Sequence, residues 1–181
     1  MTLEPDPELR EALLAAVPSL RAFAISLSGQ VDRADDLVQD TLLRALSNLH
    51  RFEPGTNLNA WLFTILRNLF HSEYRKRRRE VEDPDGSYAG RLKVQPEQGS
   101  HLDFEDFRSA LSQLPSDQRE ALLLVGASGF SYEEAANTCG CAVGTIKSRV
   151  NRARLRLASL LNVDDIDDLG PYSMTRAALQ G

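Results

Sequence analysis

Apolar positions recur every three or four residues over most of this chain, and the N-terminal half shows no period-two alternation, so it reads as helical. Asp6-Pro7 is a helix start, since proline suits the first helical position. Leu9, Leu13, Ala16 and Val17 follow at helical spacing, and Leu20, Phe23, Ala24 and Leu27 continue beyond Pro18. Ser28-Gly29-Gln30 breaks the pattern. Asp32 is then expected to cap a second helix with the stripe Ala34, Leu37, Val38, Thr41, Leu42, Ala45, Leu46 and Leu49. Phe52 to Asn59 reads as a loop with Pro54-Gly55 as its turn, and a long helix is expected from Ala60 toward Arg79, with Leu62, Ile65, Leu66 and Leu69 on one face. These elements predict a helical bundle.

Between Glu80 and His101 the periodicity stops, and Pro84, Gly86, Gly90, Pro96 and Gly99 interrupt a polar stretch that reads as a linker. Helical spacing resumes at Leu102, Phe104, Phe107, Leu111 and Leu114. Pro115-Ser116 then opens a helix containing Leu122, Leu123, Leu124 and Val125. The expected organisation is all-α: a bundle over 1–79, a flexible linker over 80–101, a second helical domain over 102–162 and an acidic tail over 163–181, without internal repeats.

The stretch from Ser131 to Arg156 is the most explicit. Ser131-Tyr132-Glu133-Glu134 is a capping box, in which the serine hydroxyl and the glutamate carboxylate each take an orphan amide. Ala135 and Ala136 are small enough for a close helix crossing, and Gly140 suits the left-handed turn between two helices. From Val143 a second helix carries Ile146, Val150, Ala153 and Leu157 on one stripe. Its other side carries Lys147, Arg149, Arg152, Arg154 and Arg156, and no acidic residue lies between Val143 and Leu161. Helix, glycine turn and basic helix form a helix-turn-helix pattern, whose second helix enters the major groove of DNA. The competing reading is an amphipathic hairpin with a solvated basic face.

The net charge of −5 looks wrong for a DNA-binding chain until the charges are mapped. Arg75 to Arg79 reads Arg-Lys-Arg-Arg-Arg, while acid gathers at 80–85, 103–106 and 164–168. A phosphate backbone feels the local patch, so segregation outweighs the sum. Cys139 and Cys141 are too close for a relaxed disulfide in a tight turn, and His50, His71 and His101 do not complete a zinc site, so the cysteines read as small residues filling the turn. No secretion signal opens the chain and no run of about eighteen apolar residues spans a bilayer, so the expected location is the cytoplasm. With no nucleophile–base set, phosphate loop or metal cluster in view, neither an enzyme nor a cofactor is expected.

Four segments in order carry a family resemblance. These are Ala34–Thr41 (ADDLVQDT), Ala60–Asn68 (AWLFTILRN), Leu114–Glu120 (LPSDQRE) and Val143–Arg149 (VGTIKSR). Together they resemble the extracytoplasmic-function sigma factors of RNA polymerase, which keep only two sigma domains, and most closely their EcfG-type general stress-response branch. The resemblance implies that Asp35, Asp36, Gln39 and Asp40 dock on the clamp helices of the polymerase beta-prime subunit. Asp35 and Asp36 also have an ordinary reading as complements to the helix dipole. It implies that Asn68, His71, Ser72, Arg75 and Arg79 face the minus-ten promoter element during melting, with a flipped base held by the Phe52–Asn59 loop. Trp61 reads as core, with a base-stacking platform as its alternative.

For the minus-thirty-five element the resemblance puts Lys147, Ser148, Asn151 and Arg152 toward the groove. It makes Arg149 and Arg154 phosphate contacts or internal braces, and lets Thr145 donate to a phosphate beside the free amides of the helix start. Asn151 departs from the larger or aromatic residue many relatives carry. The implied partners are core polymerase, promoter DNA and an anti-sigma factor. Two other classes compete: a sigma-like decoy that sequesters an anti-sigma factor, and a helix-turn-helix repressor. Decoys carry a receiver domain and tend to lose DNA-reading residues, and a repressor leaves the N-terminal bundle without a role.

Overall fold

The computed structural model describes residues 6–80 and 102–162, which fall into two compact units. The linker and tail expected over 80–101 and 163–181 lie almost wholly outside the described residues. The N-terminal unit packs α1 (Pro7–Ser28), α2 (Val31–Ser47) and α3 (Leu58–Glu80) against one another, with a single 3₁₀ turn at Leu49–Arg51. Its centre is Leu20, Phe23, Leu37, Leu62, Phe63 and Leu66, with the rings of Phe23 and Phe63 5.0 Å apart.

Helix α1 runs uninterrupted through Pro18. Proline removes one amide and crowds the carbonyl four residues earlier, which here is that of Leu14. Both Leu14 and Pro18 lie on the solvent face, where water can serve the lost bond, while Leu13, Ala16, Leu20, Phe23 and Ala24 hold the other face in the core. By length and composition α1 is long and apolar enough to cross a membrane, contrary to the expectation from apolar run length. Its exposed side carries Glu8, Arg10, Glu11 and Arg21, charges that hydrocarbon does not accommodate without partners.

Two boundaries and one apolar stripe differ from expectation. Gln30, not Asp32, occupies the cap position of α2, because Gly29 turns left-handed at φ 70° and closes α1 early; Asp32 sits in the first turn, where its charge still complements the dipole. Helix α3 begins at Leu58, since the Asn57 side chain accepts from the Ala60 amide at 3.2 Å and acts as its cap. The stripe of α2 is narrower than read: Ala34, Leu37, Val38, Thr41 and Ala45 are buried, but Leu46 is 42% exposed. Each four-residue step advances about 40° beyond a full turn, so the row 34, 38, 42, 46 walks off the core face.

The C-terminal unit comprises α4 (Leu102–Ser112), α5 (Ser116–Leu122), α6 (Tyr132–Cys139) and α7 (Val143–Leu161). Helix α5 does not stay regular through Val125. Its last turn, Leu123–Ala127, widens so that the Ser128 amide reaches the Leu123 carbonyl at 2.9 Å. That extra residue per turn keeps both Leu124 and Gly126 buried while the chain swings into α6.

Candidate nucleic-acid interface

The α6–α7 pair is built as its sequence dictates. Ser131 Oγ accepts from the Glu134 amide at 3.0 Å, and a Glu134 carboxylate oxygen accepts from the Ser131 amide at 2.9 Å, completing the capping box. Gly140 adopts φ 64° at the end of α6, letting the Cys141 amide reach back to the Ala136 carbonyl at 3.1 Å. Ala135, Ala136 and Thr138 on α6 and Ile146, Val150, Ala153 and Leu157 on α7 are buried, which fixes which side of α7 faces outward. Neither cysteine is in a disulfide; Cys139 is buried and Cys141 half-buried, consistent with their filling the turn. Ser131→Ala should lower the stability of this unit by about 1 kcal/mol, measured by thermal unfolding of the full chain. An unchanged transition would show that the box contributes nothing net.

The residues expected at the groove do not all share one environment. Lys147, Asn151 and Arg152 are exposed. Ser148 is half-buried between them; its hydroxyl donates to the Thr145 carbonyl at 3.1 Å and accepts from Arg152 Nη2 at 3.4 Å. Ser148 therefore steers Arg152 as much as it presents a hydroxyl of its own. The Lys147 ammonium lies 5.7 Å from the ring centre of Tyr132, a residue the sequence reading did not single out. The Thr145 amide is already donated to the Ala142 carbonyl at 3.0 Å, so it is not among the free amides expected there.

Arg149 is turned inward. Its Nε sits 3.2 Å from an Asp117 carboxylate oxygen on α5 and its Nη1 3.8 Å from Cys141 Sγ, which makes it a brace between α5, the turn and α7. Arg154 is half-buried with Nε withdrawn from solvent, a poor placement for gripping phosphate. Burial also lowers the Arg119 guanidinium on α5 from its usual pKa, opposed by the neighbouring Glu120.

In the N-terminal unit, α3 presents Asn68, Ser72, Arg75 and Arg79 to solvent. Ser72, Arg75 and Arg79 line a shallow concavity with Lys76, which belongs to the basic run but not to the expected strand-facing set, although it lies one turn beyond Ser72. His71 is only half-exposed: its ring meets the Phe70 edge at 5.4 Å, and Arg75 Nε donates to its carbonyl at 3.2 Å. The loop before α3 is shortened to Phe52–Asn57. There Thr56 Oγ1 donates to the Glu53 carbonyl at 2.7 Å, and Gly55 takes φ 88°. Trp61 is half-buried with its ring 5.3 Å from Phe52, so it props the base of this loop rather than standing free as a platform.

On α2, Asp36, Gln39 and Asp40 are exposed and form one wall of a groove; Glu73, Lys76 and Arg77 of α3 form the other, with Arg33 between. Asp35 is separated from this set. It faces α1, where its two oxygens take Arg21 Nε at 2.6 Å and Nη2 at 3.3 Å, and the contact raises the Arg21 pKa. No group of three metal-binding side chains occurs among the described residues.

A model of sigma-70 region 2 matches residues 13–80 and one of sigma-70 region 4 matches 104–157. Over 173 residues the chain is 72% identical to the ECF RNA polymerase sigma factor EcfG of Rhodopseudomonas palustris, covering 96% of each. The sigma factor RpoE of Bartonella quintana, solved in complex with the anti-sigma factor NepR, superposes with a TM-score of 0.79 at 57% identity, over 88% of this chain and all of that one. CnrH, solved with the cytosolic domain of CnrY, superposes with a TM-score of 0.59 at 28% identity, over 87% and 88%.

Proposed function

Because the chain belongs to the extracytoplasmic-function sigma factors, we propose that it docks core RNA polymerase through the α2 wall of Asp36, Gln39 and Asp40 and reads promoter DNA through α3 and α7. The observation that carries this is the pairing of an exposed, uniformly basic recognition helix in one unit with an exposed acidic and amide face in the other. A repressor needs only the first. In this reading Lys147, Asn151 and Arg152 contact base edges of the upstream element, with Ser148 orienting Arg152. Thr145 contacts the backbone at the helix start. Asn68, Ser72, Arg75, Lys76 and Arg79 follow the separated strand of the downstream element, where arginine and lysine meet phosphate and the short loop before α3 receives an unstacked base. Asp35, paired with Arg21, serves the bundle more than the polymerase.

Control by an anti-sigma factor fits the same surfaces. The Bartonella sigma factor was captured with NepR, and a partner covering the α2 wall would deny the polymerase its dock. The work is done in the cytoplasm, where polymerase is.

Run-off transcription with core polymerase and a promoter library, with and without this chain, tests the proposal. Selected promoters should give transcripts only when the chain is present, and a NepR-type protein should suppress them. A decoy or a repressor would start none. Gln39→Ala combined with Asp40→Arg should weaken co-purification with core by at least about tenfold, since reversing an interfacial charge costs upwards of 1.4 kcal/mol. Both side chains lie off the apolar stripe, so the melting temperature should hold. Unchanged co-purification would remove α2 from the docking surface.

A further inference from the structure

Arg33 lies between the two walls of the α2–α3 groove, where the docking face and the strand-facing helix meet. On α2 it precedes Asp36 by three residues and Asp40 by seven, so it lies on the same face one turn nearer the helix start. Its side chain crosses to α3. There Nη2 is 3.7 Å from a Glu73 carboxylate oxygen, and the guanidinium carbon is 5.4 Å from the centre of the Phe70 ring. The side chain is 19% exposed, and Nε and Nη2 are withdrawn from solvent. Burial lowers the pKa of this guanidinium, Arg77 adding to the effect and Glu73 opposing it.

The apolar anchorage of α3 explains why this contact matters. The fully buried residues of α3 are Leu62, Phe63 and Leu66, all in its first half. From Leu66 to Arg79 the helix extends about 20 Å at 1.5 Å per residue. Over that length Leu69, Phe70, His71 and Glu73 are only half-buried, and every described side chain after Glu73 is exposed. Phe70, Glu73 and Arg77 recur at i, i+3 and i+7, a face turned toward Arg33, while Ser72, Arg75 and Arg79 occupy the neighbouring face. A small roll of α3 about its axis would move that second row relative to the docking wall.

We propose that Arg33 is a positioning residue: by lying over Phe70 and pairing with Glu73 it sets the roll of the outer half of α3 against α2, and so places the strand-facing row of α3 relative to the docking wall. This rests on the function proposed above. The planar guanidinium can stack and pair at once, and lysine cannot do both.

The test uses the full-length chain assembled with core polymerase. Three readouts are taken: affinity for core, affinity of the holoenzyme for a fluorescent single-stranded minus-ten oligonucleotide, and the melting temperature of the free chain. Arg33→Met keeps the apolar stem. It should leave core affinity within about twofold while strand affinity falls roughly fivefold to tenfold, as a displaced contact row would give. Arg33→Lys should fall between that variant and the wild type. Glu73→Gln, a milder change on a partly exposed side chain, should give the same selective loss, and combining it with Arg33→Met should add little further. Should Arg33→Met fail to fold, Glu73→Gln decides alone. Parallel losses of core and strand affinity that track melting temperature would reduce Arg33 to a stability contact and overturn the proposal, as would unchanged strand affinity. A wild-type chain that binds neither core nor strand would instead defeat the underlying function.

Discussion

Phe63→Ala should remove about 3–5 kcal/mol from the N-terminal unit, the cost of emptying a fully enclosed aromatic site. Phe63 is 1% exposed and its ring meets Phe23 at 5.0 Å, so neither helix can close over the gap without moving the other. Small domains hold about 5–15 kcal/mol in all, so this loss takes a large share. The consequence is functional, because Phe63 lies on the helix that carries the strand-reading row and packs the unit that presents the docking wall. Trp61, the single tryptophan of the chain, sits beside Phe52 in this unit and gives a local fluorescence signal for its unfolding. In urea the midpoint of that signal should drop steeply for Phe63→Ala and stay put for Leu43→Ala, whose side chain is 58% exposed. A midpoint unmoved by Phe63→Ala would mean the core is not packed as described.

The second large effect is expected at the recognition helix. Arg152→Ala should cost about 1–3 kcal/mol of promoter affinity and relax preference at one position of the upstream element, as loss of a bidentate base contact does. Lys147 lies five residues away, or about 140° around the helix, so the two cannot serve the same base pair. Arg149→Ala supplies the contrast. Its guanidinium is engaged by Asp117 and Cys141, so its loss should weaken all promoters alike and soften the C-terminal unit by about 0.2–1 kcal/mol, the usual worth of a partly exposed ion pair. Transcription across single-base variants of the upstream element separates the two patterns. A uniform loss for Arg152→Ala would make it a backbone anchor and leave base reading to Lys147 and Asn151.

Much of this was legible in the linear chain, because it is encoded within single helices. The capping box at Ser131 and Glu134, the left-handed Gly140 and the stripe Ile146, Val150, Ala153 and Leu157 each depend on neighbours a few residues away, and each stands as read. So does the all-helical class. Periodicity says which side of a helix is apolar, and local hydrogen bonding says where it stops.

What periodicity cannot say is which distant group meets a given polar side chain, since that depends on how two helices far apart in sequence are packed. Asp35 and Asp36 are adjacent and identical, yet the first pairs with Arg21 of α1 while the second lines the groove beside α3. Arg149 and Arg152 sit one turn apart on the same basic helix, yet Asp117 draws one inward and leaves the other to Ser148 and solvent. Arg33 carried no signal at all before α3 brought Phe70 and Glu73 beneath it. The chain by itself determined its helical class, the apolar face of most helices and the family they compose. Only the tertiary packing decided which charges are spent holding the bundle together and which remain for polymerase and DNA, because a charge is committed by the partner that packing brings within a few ångströms of it.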